Sequence, residues 1–315
     1  MKVSEIGEFG LINRIYRKAK DKSIIKGIGD DAAVVKIGNK LMVVTTDTLV
    51  EGDHFSFDYF SAEQVGKKAI EINVSDVGAM GGVPKYALVS LVLPKDIEVE
   101  VIEKIYSGMR EAGDKYGLEI IGGNMTHGNQ LVIDVDMIGF VEKKNLCLRG
   151  DAKPGDFIFV SGDLGASTAG LNLFKNNKSG FMGVKKKHLE PSAKFHKVKP
   201  FLKYINAMID VSDGLASEVK HICEESNVGA VIYKENIPIK PETRHAAKAV
   251  GKDAVDYALY GGEDFELVFS VSEKNLKKVR GFLVGEIRKK KGVYLYNNGK
   301  EELISKGGYD HFKVC

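Results

Sequence analysis

The 315 residues suffice for about two domains at roughly 150 residues each. Lys and Arg number 46 and Asp and Glu 43, a formal charge of +3, too even for a protein that coats a nucleic acid or another polyanion. With 43% hydrophobic and 28% charged residues the composition is that of a soluble globular protein, and no uncharged stretch approaches the ~18 residues of a membrane span.

In chain order, the opening MKVSEIGEFG has no apolar run of the secretory kind, so no signal peptide is expected. The apolar run 41–46 predicts the first strand. Residues 62–80 predict a helix that starts at a capping box made by Ser61 and Gln64. A strand at 86–93 and a second helix at 99–116 follow. In that helix Ile102, Ile105, Met109, Ala112 and Tyr116 share one face, and Gly117 ends it. Strands are predicted at 118–121 and 131–141. The segment EKKNLCLRGDAKPGD (142–156) then breaks the pattern and separates a domain at 1–142 from one at 150–315.

In the second half, 157–161, 230–233 and 265–271 predict strands, and 214–226 and 274–282 helices. Residues 175–200, which hold NNKSG and the run 185–187, read as a mobile surface loop. The basic runs 185–187 and 289–291 lack interleaved aromatics and read as solvated charge, so no nucleic-acid partner is expected. Amphipathic helices mixed with alternating strands predict α+β architecture in both domains. The first has a mixed sheet with helices; the second has helices on one sheet face. Cys147, Cys223 and Cys315 are odd in number and lack CxxC spacing. They form no disulfide framework and imply a reduced, cytoplasmic compartment.

Six polar clusters, all but GGNMT acidic, sit beside glycine or hydroxyl residues: GIGDDAA, TTDTLVEGDHF, NVSD, GGNMT, DVSDG and GGEDFE. Each alone is ordinary turn or capping chemistry; six together point to a shared cation. Asp76 is the sharpest case. With 3.6 residues per turn it falls with Val65, Ala69, Ile72 and Met80 inside an arc of about 80°, while Lys67 and Glu71 point elsewhere. A carboxylate in an apolar stripe has to be paired, hydrogen-bonded or metal-bound. Carboxylates, hydroxyls and carbonyls are hard donors suited to Mg²⁺, and the clusters lack the Cys and His of a zinc site. Neither a P-loop nor a strand-linked GxGxxG is present, so nucleotide binding would go through carboxylates and metal.

The segments GEFGLI, GIGDDAA, TTDTLVEGDHF, NVSDVGAMGG, GGNMT, LRGDAKPGD, DVSDGL, GGEDFEL and GYDHF stand in this order over essentially the whole chain. In them the chain resembles the thiamine-monophosphate kinase family of the aminoimidazole-ribonucleotide-synthetase-like ATP-binding superfamily. The resemblance implies an N-terminal domain that pairs with its twin in a homodimer, a C-terminal α+β domain, and ATP in the cleft. It implies several Mg²⁺ ions held by Asp31, Thr45, Thr46, Asp47, Asp76, Asp210 and Asp213, with Asp30 able to exchange with Asp31. Tyr106, Gly123, Asn124, Arg149 and Ser212 would contact ATP, and His54, Glu263 and Tyr309 the thiamine phosphate. Asn124 stands where the family has Asp, so its metal contact would be an uncharged amide oxygen. The nearest alternative is an ATP-dependent dehydratase or cyclo-ligase of the hydrogenase-maturation type, which carries substrate on a terminal cysteine. Cys315 fits that reading, but Phe312-Lys313-Val314 replaces its Pro-Arg-Ile. A third reading, a non-catalytic nucleotide-binding protein, has Asn124 as its one support.

The implied reaction moves the γ-phosphoryl of ATP onto thiamine monophosphate, giving thiamine diphosphate. The acceptor phosphate, with a second pKa near ~6, is already ionised at neutral pH, so no catalytic base is expected. Two unit charges about 4 Å apart repel by ~4 kcal/mol at an effective dielectric of ~20. Several cations answer that repulsion better than one or two lysines.

Overall fold

A computed structural model describes residues 2–17, 19–309 and 312, the side chain of Phe9 excepted. Helix α1 (Val3–Ile15), kinked at Gly7, precedes a six-stranded sheet. Its strands are β1 (Ile24–Lys26), β2 (Ala33–Ile37), β3 (Lys40–Val50), β4 (Val83–Leu93), β5 (Glu119–His127) and β6 (Val132–Val141), in the order β1-β2-β3-β6-β4-β5. β4 and β5 run parallel and the other neighbours antiparallel. Helices α2 (Ala62–Ala79) and α3 (Val99–Asp114) cover one face. Strand alternation decides which: Val43, Leu49, Ile133, Val135 and Met137 enter the core, while Thr46, Thr48, Asp134 and Asp136 stand on the opposite face, exposed or half-buried.

The capping box of α2 forms as its spacing predicts: Gln64 N donates to Ser61 Oγ at 3.2 Å and Ser61 N to Gln64 Oε1 at 3.0 Å. Ile105, Met109 and Ala112 of α3 are buried. Glu71 lies outside the apolar arc, as expected, yet is buried. It is 1% exposed and accepts from Tyr116 Oη at 2.6 Å, Lys115 Nζ at 3.1 Å and Ala193 N at 2.8 Å. The reason is that α2 lies between the sheet, α3 and a segment of the second half, so solvent reaches it chiefly near its start, at Glu63, Gln64 and Lys67.

The second half has a seven-stranded sheet, β7 (Asp156–Val160), β8 (Met208–Asp210), β9 (Gly229–Tyr233), β10 (Leu267–Ser272), β11 (Phe282–Arg288), β12 (Gly292–Asn297) and β13 (Lys300–Leu303), ordered β13-β12-β9-β11-β7-β10-β8. Its helices are α4 (Ala166–Lys175), α5 (Met182–Leu189), α6 (Phe195–Val198), α7 (Leu215–Glu225), α8 (Pro241–Ala249) and α9 (Ala254–Tyr260). Ile158, Val160 and Val268 pack with residues of α7 and α9. The alternate residues Phe159, Phe269 and Val271 meet Phe201 and Leu202 of a 3₁₀ turn (Lys199–Tyr204). Both faces are therefore covered, which corrects the expectation of one covered face. Ala79 and Cys147 join that second layer, so the two halves share apolar core.

Two further expectations fail. Residues 175–200 are not a surface loop: they contain α5 and α6, and Val184, His188, Ala193 and Val198 are buried. In α5 only Val184 and His188 are buried, set among lysines, and that concealed the helix. Residues 274–282 form only a 3₁₀ turn (Glu273–Lys278), and Phe282 opens β11 after Gly281 at φ 155°. No described helix is long and apolar enough to cross a membrane.

Candidate active site

Carboxylates from both halves converge between the two sheets. Asp31 comes from the loop before β2, Asp76 from the last turns of α2 and Asp210 from the end of β8. One oxygen of each lies within 4.8 Å of the others. Thr45 Oγ1, on the core side of β3, donates to Asp76 Oδ2 at 2.6 Å, and Ser75 Oγ donates to Asp210 Oδ2 at 2.6 Å. The Arg149 guanidinium donates to Asp31 Oδ1 and lies 3.8 Å from Asp30. Asp30 also accepts from the Arg149 N–H at 3.3 Å and lies 3.5 Å from Lys26. The two neighbours thereby divide their roles: Asp30 is held by cations, whereas Asp31 Oδ2 is buried without a hydrogen-bond partner.

Burial raises the proton affinity of the whole group. Asp47 is pushed up to about 7 by burial and then by Asp134, Asp213 and Asp31. Asp30 reaches about 7 through burial and Asp31, against the pull of Arg149 and Lys26. Asp76 and Asp210 rise well above the usual carboxylate range, again through burial first and through one another's neighbours second. Glu218, on α7, is buried and accepts from Asp213 N at 2.8 Å and Ser212 Oγ at 3.5 Å. It fixes the DVSDG turn, and as a glutamate inside an ordinary helix it left no sequence signal. So many buried acids around one arginine leave negative charge that a cation would neutralise. The donors are all oxygen, and one of them is orphaned; the set fits Mg²⁺.

Other implied residues stand apart. Thr46 points to the opposite face of β3 from Thr45, its Oγ1 3.4 Å from Asp134 Oδ1. Asn124 and Gly123 lie inside β5, the exposed edge strand, rather than at the end of an element. β5 is three strands from β3, roughly 14 Å at about 4.8 Å per strand, so within one chain Asn124 and Asp47 cannot share an ion. Gly123 (φ 157°) is required by packing, since a Cβ there would lie 1.8 Å from Val89 O. Tyr106 is on α3, half-buried against the first core, with Arg110 5.7 Å above its ring.

His54, Glu263 and Tyr309 form a second centre. Glu263, in a left-handed turn (φ 66°), pairs with Lys68 Nζ at 2.5 Å and with His188 Nδ1 at 3.3 Å. Lys68 also donates to His54 O at 2.7 Å. Burial opposes the charge of Glu263, but Lys68 and His188 outweigh it and hold the carboxyl well below its usual range. Around His188 stand Tyr59, Phe60 and Phe174, with Tyr59 and Phe174 stacked at 4.7 Å. The Tyr309 hydroxyl donates to Asp53 at 3.3 Å, and its N–H to Asp213 O at 3.4 Å, which joins this centre to the carboxylates. Lys68 and His188 were missed. Lys68 borders the apolar arc of α2 and is 0% exposed, a position at which a lysine calls for a buried partner. Asp310, His311 and Cys315 lie outside the described residues.

Residues 29–141 match the family model of AIR synthase related protein, N-terminal domain, and 153–290 that of its C-terminal domain. The thiamine-monophosphate kinase of Aquifex aeolicus is 38% identical over 99% of this chain and 100% of its own. That of Bacillus subtilis is 36% identical over 97% and 99%. The chain belongs to the thiamine-monophosphate kinase family. A solved structure of AaThiL complexed with AMPPCP and TMP superposes with a TM-score of 0.90 at 38% identity, covering 99% of both chains. E. coli HypE, a hydrogenase maturation protein, shares the fold at a TM-score of 0.71 and 20% identity, over 86% of this chain and 88% of its own. Full-length identity to the kinases disfavours the maturation reading.

Proposed function

We propose that the chain phosphorylates thiamine monophosphate to thiamine diphosphate by direct transfer of the γ-phosphoryl of ATP. The observation that carries this is the convergence of Asp31, Asp76 and Asp210 from both halves, with Asp31 Oδ2 left without a partner. Asp31, Thr45, Thr46, Asp47, Asp76, Asp210 and Asp213 would hold several Mg²⁺ ions, which supply charge neutralisation to the phosphates of donor and acceptor. Arg149 and Ser212 would contact ATP. Asp30, held by Arg149 and Lys26, fixes the loop that carries Asp31. The acceptor oxygen is ionised without help at neutral pH, its phosphate having a second pKa of ~6, so no side chain has to remove a proton. Glu263 stays ionised between Lys68 and His188 and presents a carboxylate suited to a cationic heterocycle. His54 and Tyr309 complete that end.

The chain acts as a homodimer in this reading. Residues 45–50 of β3 pair on one side only, because β2 stops opposite Val44. The outer edge of β5 is free, and Ile121 and Met125 on it are exposed. A second copy laid edge to edge there would bring its own Gly123 and Asn124 beside Thr46 and Asp47. Buried, unpaired Cys147 and Cys223 suit a reducing cytoplasm.

The test is incubation with thiamine monophosphate, ATP and Mg²⁺, with product resolved by chromatography. Metal-dependent thiamine diphosphate supports the reading; a folded protein that consumes neither substrate overturns it.

A further inference from the structure

Asp134 belongs to none of the implied ligand sets, yet it faces the same strand. It lies on β6 directly opposite Thr48, on the sheet face away from α2. Its Oδ1 accepts from Thr48 Oγ1 at 2.5 Å and from Thr46 Oγ1 at 3.4 Å. A hydroxyl that gives its one proton to a carboxylate turns its lone pairs outward, toward whatever cation approaches. Among the described residues no cationic side chain pairs with Asp134, although Asp136 stands two residues on along the same face. The adjoining cluster holds the orphaned, buried Asp31 Oδ2, an independent sign that a cation completes this end of the site.

The same row of the sheet runs Thr48, Asp134, Ser90, Asn124 across β3, β6, β4 and β5. We infer that Asp134 orients Thr46 and Thr48 toward a divalent cation held beside them at this end of β3. The inference rests on reading this cleft as a metal and phosphate site, and it makes Asp134 a positioning residue.

The experiment counts and titrates Mn²⁺ bound to the full chain with AMPPCP, by the electron paramagnetic resonance of the free ion, without thiamine monophosphate. Asp134→Asn should weaken at least one ion roughly 10-fold or more, the range for partners that orient metal ligands. Thr48→Val should weaken the same ion by less. Asp136→Asn, which loses no hydrogen bond to either threonine, should change it little. Should Asp134→Asn not fold, Thr48→Val carries the test alone. Unchanged Mn²⁺ binding in both the Asp134 and Thr48 variants, or equal loss in Asp134→Asn and Asp136→Asn, overturns the inference. Product formation is scored separately. A wild-type chain that binds Mn²⁺ in the Asp134-dependent way but makes no thiamine diphosphate would refute the kinase reading and leave this one standing.

Discussion

Replacing Asp76 by Asn separates what the carboxylate cluster does for activity from what it does to stability. Asp76 shares a space within 4.8 Å with both Asp31 and Asp210, a separation at which two unit charges repel by about 3–4 kcal/mol at an effective dielectric near 20. Part of that repulsion is relieved in the metal-free protein because the cluster retains protons. The folded-state proton affinity of Asp76 lies above that of an unfolded aspartate. Its contribution is therefore fully present at acid pH and is lost as pH rises through the folded value. That loss begins above the unfolded aspartate value of ~3.9 and runs upward from there. The amide oxygen of Asn can still accept from Thr45, so the fold keeps its local bond. Asp76→Asn should stabilise the metal-free protein by about 2 kcal/mol at pH 8, a melting rise of roughly 3 °C for a chain of this size. The gain should shrink toward pH 5, and Mg²⁺ should stabilise wild type more than the variant. Turnover should drop by about two orders of magnitude or more, as for loss of a group that positions the transferring charge. Calorimetry across pH, with and without Mg²⁺, reads the first effect. A variant less stable than wild type at pH 8 without metal would refute the reasoning, as would near-normal turnover.

Two other substitutions or probes reach the remaining assignments. Lys68→Met strips Glu263 of its cation and leaves it against a histidine whose proton affinity burial lowers. Breaking a buried pair in this way costs about 3–5 kcal/mol; the KM for thiamine monophosphate should rise while that for ATP stays, and equal shifts in both would place Lys68 elsewhere. Direct transfer predicts no phosphoenzyme, so γ-labelled ATP alone should leave no covalent label on the protein, and a stable labelled residue would contradict it.

What could be read from the sequence was chemistry that neighbouring residues state together. An aspartate in an apolar arc of α2, acids beside glycine and hydroxyls, and a serine three residues before a glutamine each carry their meaning locally. Asp76 and the start of α2 were legible for that reason, whereas Asp31 came only with the family resemblance. Lys68, Glu71, Glu218 and His188 were not, because each is an unremarkable residue whose burial is created by a segment more than a hundred residues away or by the packing of a neighbouring helix. Asn124 was legible as a motif and illegible as a position: its three-strand distance from Asp47 follows from the order β3-β6-β4-β5, which no local pattern announces. The helix at Met182–Leu189 was hidden by its lysines, since Val184 and His188 alone are buried and make a weak period.

The acids also bear on why the two halves form one working unit. Asp31 and Asp76 belong to the first half and Asp210 to the second, while Arg149 lies in the connection between the sheets and bonds to Asp31. Ser75 reaches across to Asp210 at 2.6 Å, and Lys197 of α6 binds Glu266 at 2.8 Å on the second side. Without a cation, the closest approach of the halves is also a place of like charge, held by hydrogen bonds and by the shared apolar layer at Ala79 and Cys147. Any cation bound among Asp31, Asp76 and Asp210 converts that repulsion into a bridge between halves. Binding free energy for metal and phosphate then becomes rigidity at the junction. A site for polyanions lined with carboxylates is consistent on these terms: the acids repel phosphate when empty and bind it only together with the counter-charge that the transfer itself requires.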